Sequence, residues 1–182
     1  GAIQLFVQSA RRADPGFALE AETLRDVVHI CRLVEGMPLG LELAAAWARM
    51  MPLAEIEQEI RHNLDFLSTQ MRDMPARHRN LRALFEQSWQ FLTEKERQVI
   101  VQLSVFQGGF ERDAAQEVAD ATPFSLAALV DKSMLRAHSS GRYDMHELLR
   151  QFAAEKLEKT PNATQEARDG HCAYYASFLQ AR

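Results

Sequence analysis

The chain has 182 residues, of which 47% are hydrophobic and 25% charged, enough for one sizeable domain or two small ones and not compatible with global disorder. A formal net charge of -4 gives the whole chain no electrostatic reason to bind nucleic acid, so such binding would need a local basic patch. Two cysteines, Cys31 and Cys172, cannot build a disulfide framework, no apolar run approaches the ~18 residues of a membrane span, and no signal peptide is read; the expected location is the cytoplasm.

The first segment, "AIQLFVQSARR", places Ile3, Phe6, Val7 and Ala10 on one helical face, and Pro15 and Gly16 stop it. A second helix is expected from near Ala21, with Leu24, Val27, Val28, Cys31 and Val34 as its apolar stripe. Gly36 suits its C-terminal cap, and Pro38 suits the first turn of the next helix. That helix, "LGLELAAAWARMM", is apolar on most faces and reads as the centre of a small core. Pro52 opens a fourth helix, "LAEIEQEIRHNLDFL". Four short helices in tandem predict a compact bundle. Residues 68–80 are polar and without strong periodicity, and read as the connection between two units.

A helix "NLRALFEQSWQFL" follows. Thr93 and Glu96 then form a capping box that launches "KERQVIVQLSVF", a helix that Gly108-Gly109 is expected to end. "ERDAAQEVA" and "SLAALVDKSML" read as two more helices, the second with Ser125 as its N-cap. "MLRAH" and "RYDMH", separated by Ser139-Ser140-Gly141, read as a β-hairpin. A helix from about Glu147 to Glu158 should turn Leu148, Phe152, Ala153 and Leu157 inward. The tail from Gln165 reads as another amphipathic helix whose partner is expected beyond Arg182. The fold class is therefore mainly α: a helical bundle followed by a winged-helix domain with one small β-hairpin.

Few residues carry recognisable chemistry. No G-x-S-x-G, H-E-x-x-H or C-x-x-C motif is present, and no Gly-x-x-x-x-Gly-Lys-Ser/Thr loop, so autonomous nucleotide hydrolysis is not expected. His29 with Cys31, and His171 with Cys172, lack the convergent spacing of zinc ligands and read as structural. In a DNA-reading winged helix the helix before the hairpin would enter the groove. Here it is "SLAALVDKSML", whose only cation is Lys132, so it reads as buried and protein-packing. The cluster Arg77, His78, Arg79 and Arg82 reads as a solvated helix start. At "RYDMHELL", His146 and Glu147 stand where a strand hands over to a helix. A metal ligand, a catalytic base, a phosphate contact and a plain helix start all remain open there.

The order of the motifs narrows these alternatives. "AIQLFVQSA", "ICRLVEGMPLGLELAAAWAR", "LRALFEQSWQFLTEKERQVIVQLSVFQGGF", "LAALVDKSMLR" and "RYDMHELLRQFAAEKL" follow one another across nearly the whole chain. The series resembles the signal-transducing STAND nucleotidases, the group that includes NB-ARC proteins, and among them large bacterial transcriptional regulators. The resemblance implies that residues 1–16 are the last helix of an NTPase core, 17–72 a helical lid, 73–158 the winged helix, and 159–182 a linker and the first helix of a repeat region. It implies that Pro38, flanked by Met37 and Leu39, lies on the adenine and ribose side of a nucleotide. It further implies that His146 touches the β-phosphate of ADP in the closed, inactive form.

Where the family's plant and animal members have aspartate, this chain has Glu147. The chain opens on "GAIQLF" with no methionine and is expected to be a piece of something longer, with the P-loop, the acidic residue for magnesium and the sensor arginine upstream of Gly1. The implied cofactors are ADP or ATP with magnesium in the intact protein, with no tight binding to this fragment. The implied partners are the NTPase core, a C-terminal repeat domain and other copies on activation. Neither direct DNA contact nor a membrane is expected, and the fragment is not expected to be an enzyme. Two other readings stand beside this one: a DNA-binding winged-helix regulator, and a nucleotide-independent interaction adaptor.

Overall fold

A computed structural model describes residues 1–67 and 81–180. The polar connection read at 68–80, with Arg77, His78 and Arg79, lies outside the described residues. The chain divides into two compact units, Gly1–Gln87 and Ser88–Arg182.

The first unit is helical among its described residues: α1 (Ala2–Ala13), α2 (Ala21–Leu33), α3 (Pro38–Ala46), α4 (Leu53–His62) and the start of α5 (Leu81–Gln90). α1 packs on α3 and α2 on α4. Of the face predicted for α1, Phe6 and Ala10 are fully buried, whereas Ile3 is exposed. α2 buries Val27, Ile30, Cys31 and Leu33, with Val34 just beyond its end. Leu24, placed on that stripe from the sequence, is exposed instead, in the first turn of the helix. α3 buries Gly40, Leu41, Leu43, Ala44 and Ala45, the crowded centre its composition predicted. It is shorter than its apolar run and gives way to a 3₁₀ turn at Trp47–Arg49. α4 likewise ends at His62, where Asn63 accepts from the Asp65 amide and starts a second 3₁₀ turn, Leu64–Phe66.

The second unit carries α6 (Glu94–Leu103), α7 (Arg112–Ala119), α8 (Pro123–Asp131), α9 (Glu147–Glu158) and α10 (Pro161–Gln180). The capping box at α6 forms as predicted, with the Thr93 amide donating to Glu96 Oε2 at 2.6 Å and the Glu96 amide donating to Thr93 Oγ1 at 3.3 Å. α6 ends at Leu103, five residues before the glycine pair expected to stop it. Gly108 and Gly109 (φ +86 and +89) instead turn the chain into a strand, β1 (Phe110–Glu111). At Gly109 a Cβ would lie 2.8 Å from the Tyr143 carbonyl oxygen, so glycine is what lets this backbone approach.

The hairpin is present as β2 (Arg136–Ala137) and β3 (Arg142–Asp144), with Gly141 at φ +79 in its turn. β1 pairs antiparallel with the other edge of β3, aligning Phe110 with Tyr143, so the wing is a three-stranded sheet in the order β1-β3-β2. The N-cap of α8 is Thr122 rather than Ser125. Pro123 occupies the first helical position, where its missing N–H costs nothing, and Thr122 Oγ1 accepts from the Ser125 amide at 3.2 Å. Ser125 is the third helical residue, its hydroxyl donating back to the Thr122 carbonyl at 2.9 Å. α9 spans the predicted Glu147–Glu158 and buries Leu148, Phe152, Ala153 and Leu157. α10 packs on α7 and α9. No described helix is long and apolar enough to cross a membrane.

Candidate functional site

α9 begins where β3 ends. His146 has extended backbone angles (φ -53°, ψ 131°) and is the N-cap. Its imidazole, rather than a hydroxyl or carboxylate, satisfies one of the amides that a helix start leaves without a partner: the Leu148 N–H donates to Nδ1 at 3.1 Å. Accepting at Nδ1 fixes the tautomer, because the neutral ring must then carry its proton on Nε2. The half-buried His146 is therefore both a cap and a ring whose donor is Nε2–H.

Glu147 is the first residue of α9 and does not cap it. Arg150 grips its carboxylate at both oxygens, Nε to Oε2 at 2.9 Å and Nη2 to Oε1 at 2.8 Å, while Gln151 Nε2 donates to Oε1 at 3.4 Å. Burial pushes the Glu147 carboxyl upward, but the hydrogen bonds and charge of Arg150 outweigh it and hold the acid below its ordinary range. Glu147 in turn raises Arg150. The third arm of the same guanidinium donates from Nη1 to the Ser104 carbonyl at 3.2 Å, just past the last turn of α6.

The other predicted site residues lie in the first unit. Pro38 is the first residue of α3 and is exposed; Met37 and Leu39 beside it are half-buried. No side chain caps α3. The corner is set by backbone alone: Glu35 and Gly36 take positive φ, the Gly36 amide donates to the Cys31 carbonyl at 2.9 Å, and the Met37 amide donates to that of Val34 at 2.9 Å. Behind it Gly40 lies so close to Val34 that an added Cβ would come within 2.9 Å of the valine Cβ. Pro38 and His146 thus occupy corresponding places, each at a helix start, in different units.

The cations at the end of α8 and in the wing are paired with acids. Lys132 donates from Nζ to both Glu96 oxygens, at 2.8 and 2.7 Å, and to the Phe91 carbonyl at 3.1 Å. Its charge, with the Thr93 bonds, keeps the buried Glu96 carboxyl low against the upward push of burial. In the wing, Arg136 and His138 share the Asp144 carboxylate at 2.7 and 2.6 Å, and Arg142 lies 3.5 Å from Glu111. The one basic-cluster residue described, Arg82, pairs with Asp65. α8 offers solvent not a cation but Phe124, 87% exposed.

Among the described residues no three His, Cys, Asp or Glu side chains are grouped to hold a metal ion. His29 is bonded to Glu57 at 3.1 Å, Cys31 is buried, and the His171 ring centre lies 4.9 Å from those of both Phe106, edge-on, and Tyr175, tilted. Sequence reasoning passed over Arg150. Its i, i+3 spacing from Glu147 was a usable signal, but nothing local announced its reach to Ser104.

No family model matches the chain. Over 187 residues and 97% of its length the chain is 36% identical to proteins of Mycobacterium tuberculosis (strain H37Rv) and Mycobacterium bovis provisionally named as HTH-type transcriptional regulators. It is also 34% identical, over 89% of its length, to a Mycobacterium tuberculosis protein whose name assigns no function. The chain spans only 21% of the first relatives and 44% of the second.

Proposed function

We propose that this chain is the lid and winged-helix portion of an ATP/ADP-dependent switch in a bacterial transcriptional regulator of the cytoplasm, and that it closes over ADP to hold the inactive state. The regulator role is supported by the names of its relatives. The observation that carries the nucleotide reading is the capping of α9 by His146: Nδ1 is held by the Leu148 amide, which fixes an imidazole at a helix N-terminus, a position suited to a phosphate oxygen. Pro38, with Met37 and Leu39, would meet the adenine and ribose side. ADP, or ATP with magnesium, would be held mainly by an NTPase core in the intact protein, and a repeat domain and further copies would be its other partners.

A contact made to ADP in the closed arrangement and lost in the open one supplies the differential affinity a switch requires. One charge-assisted hydrogen bond of about 1.5–3 kcal/mol shifts that equilibrium about tenfold or more. Calorimetry tests the division of labour. The 182-residue chain should bind ADP weakly or not at all; tight binding would contradict the assignment of the main phosphate site to another domain.

The adaptor reading, independent of nucleotide, rests on Phe124 at the start of α8. Unchanged nucleotide retention and resting activity in full-length His146→Ala would favour it. Direct DNA binding by this chain would require salt-sensitive duplex retardation at physiological salt, which the paired cations of the wing and of Lys132 oppose.

A further inference from the structure

We infer that Arg150 is a positioning residue for His146, acting through Glu147 as a latch between the first turn of α9 and the end of α6. The inference rests on the nucleotide reading only for its consequence, not for its geometry. The guanidinium makes three hydrogen bonds in two directions: two to Glu147, which directly follows His146, and one to the Ser104 carbonyl. Its side chain is only 18% exposed. Ser104 is itself fixed, being 1% exposed with its hydroxyl donating to the Val101 carbonyl. Glu147 is therefore held against a buried point just past the end of α6, and the Leu148 amide that fixes the His146 ring belongs to the same turn of α9.

The latch gives a physical reason for glutamate at this position. An acid that must be forked by an arginine three residues on has to reach along the helix surface, and glutamate has one methylene more than aspartate for that purpose. Loss of the fork frees the first turn of α9 to fray, and the Leu148 amide then no longer holds Nδ1 in one place. His146 would sample both tautomers and a wider range of ring orientations.

The test uses ¹⁵N-edited NMR of the His146 ring in the 182-residue chain, with thermal melts to confirm folding. Wild type should show the Nε2–H tautomer. Arg150→Met, which keeps the stem and removes the fork, and Glu147→Gln should each give a mixed tautomer pattern. The double variant should look like either single one, because both break the same pair. Arg150→Lys, one donor group in place of the fork, should fall between. An unchanged His146 spectrum in Arg150→Met, or fully additive effects in the double variant, would overturn the latch. ADP release from the full-length protein reads the consequence separately. About tenfold faster release in Arg150→Met supports both the latch and the nucleotide reading. A changed tautomer with unchanged release keeps the latch and overturns the nucleotide reading.

Discussion

The starts of α3 and α9 solve the same problem in opposite ways. At α3 the chain turns by backbone restriction: positive φ at Glu35 and Gly36, then a proline that needs no amide partner, with no capping side chain. At α9 the turn is held by side chains, His146 on the Leu148 amide and Arg150 on Glu147 and Ser104. A corner made of backbone is indifferent to charge and intolerant of bulk. A corner made of side chains accepts bulk but depends on charge and on pH. The proposed switch would draw on both, a fixed corner and a contact that responds to charge.

Four changes should separate the two corners. Gly40→Val should have the largest effect, about 3 kcal/mol of lost stability by denaturant unfolding, because its side chain must displace the fully buried, β-branched Val34. Arg150→Met should cost about 1–2 kcal/mol, the worth of charged hydrogen bonds in a partly screened pair, and should leave the α3 corner unaffected in hydrogen exchange. His146→Ala should cost about 1 kcal/mol as a lost N-cap, seen as faster amide exchange at Leu148. Pro38→Ala should cost about 0.5 kcal/mol, mainly by giving the unfolded chain more freedom, with no change in exchange at α9. A Gly40→Val protein as stable as wild type would remove the claim that the first corner is intolerant of bulk.

Acid should sharpen the same contrast. The Glu147 carboxyl lies below its ordinary range when folded. The pair's contribution is therefore complete at neutral pH and is lost as pH falls through the glutamate range toward the folded value. His171 works in a different window. Burial lowers it, so the unfolded chain takes up its proton first and stability declines as pH falls below the ordinary histidine value. Melts from neutral pH down to about pH 3 should show both losses, and His171→Phe should abolish the one nearer neutral pH.

Legibility in the sequence followed how local each feature was. The span of α9, the Thr93–Glu96 box and Pro38 at a helix start all rest on patterns a few residues long, and each stands where those patterns put it. β1 was not legible because two residues carry no period; it exists through pairing with β3, over thirty residues later in the chain. Serine before an apolar run is a good cap, which points to Ser125, yet the Thr122-Pro123 pair three residues earlier starts the helix. Of the α9 site, His146 was visible through its neighbours in sequence. Arg150 was not, since its decisive contact is with a carbonyl 46 positions away.

The central claim is that His146 contributes directly to holding ADP. Its most direct test is the rate of ADP release from the full-length protein, compared between wild type and His146→Ala under conditions where both are folded. Loss of the Nε2–H contact predicts release about tenfold faster, with ATP release changed much less. Equal release rates for ADP in the two proteins would contradict the account and leave His146 as a helix cap alone.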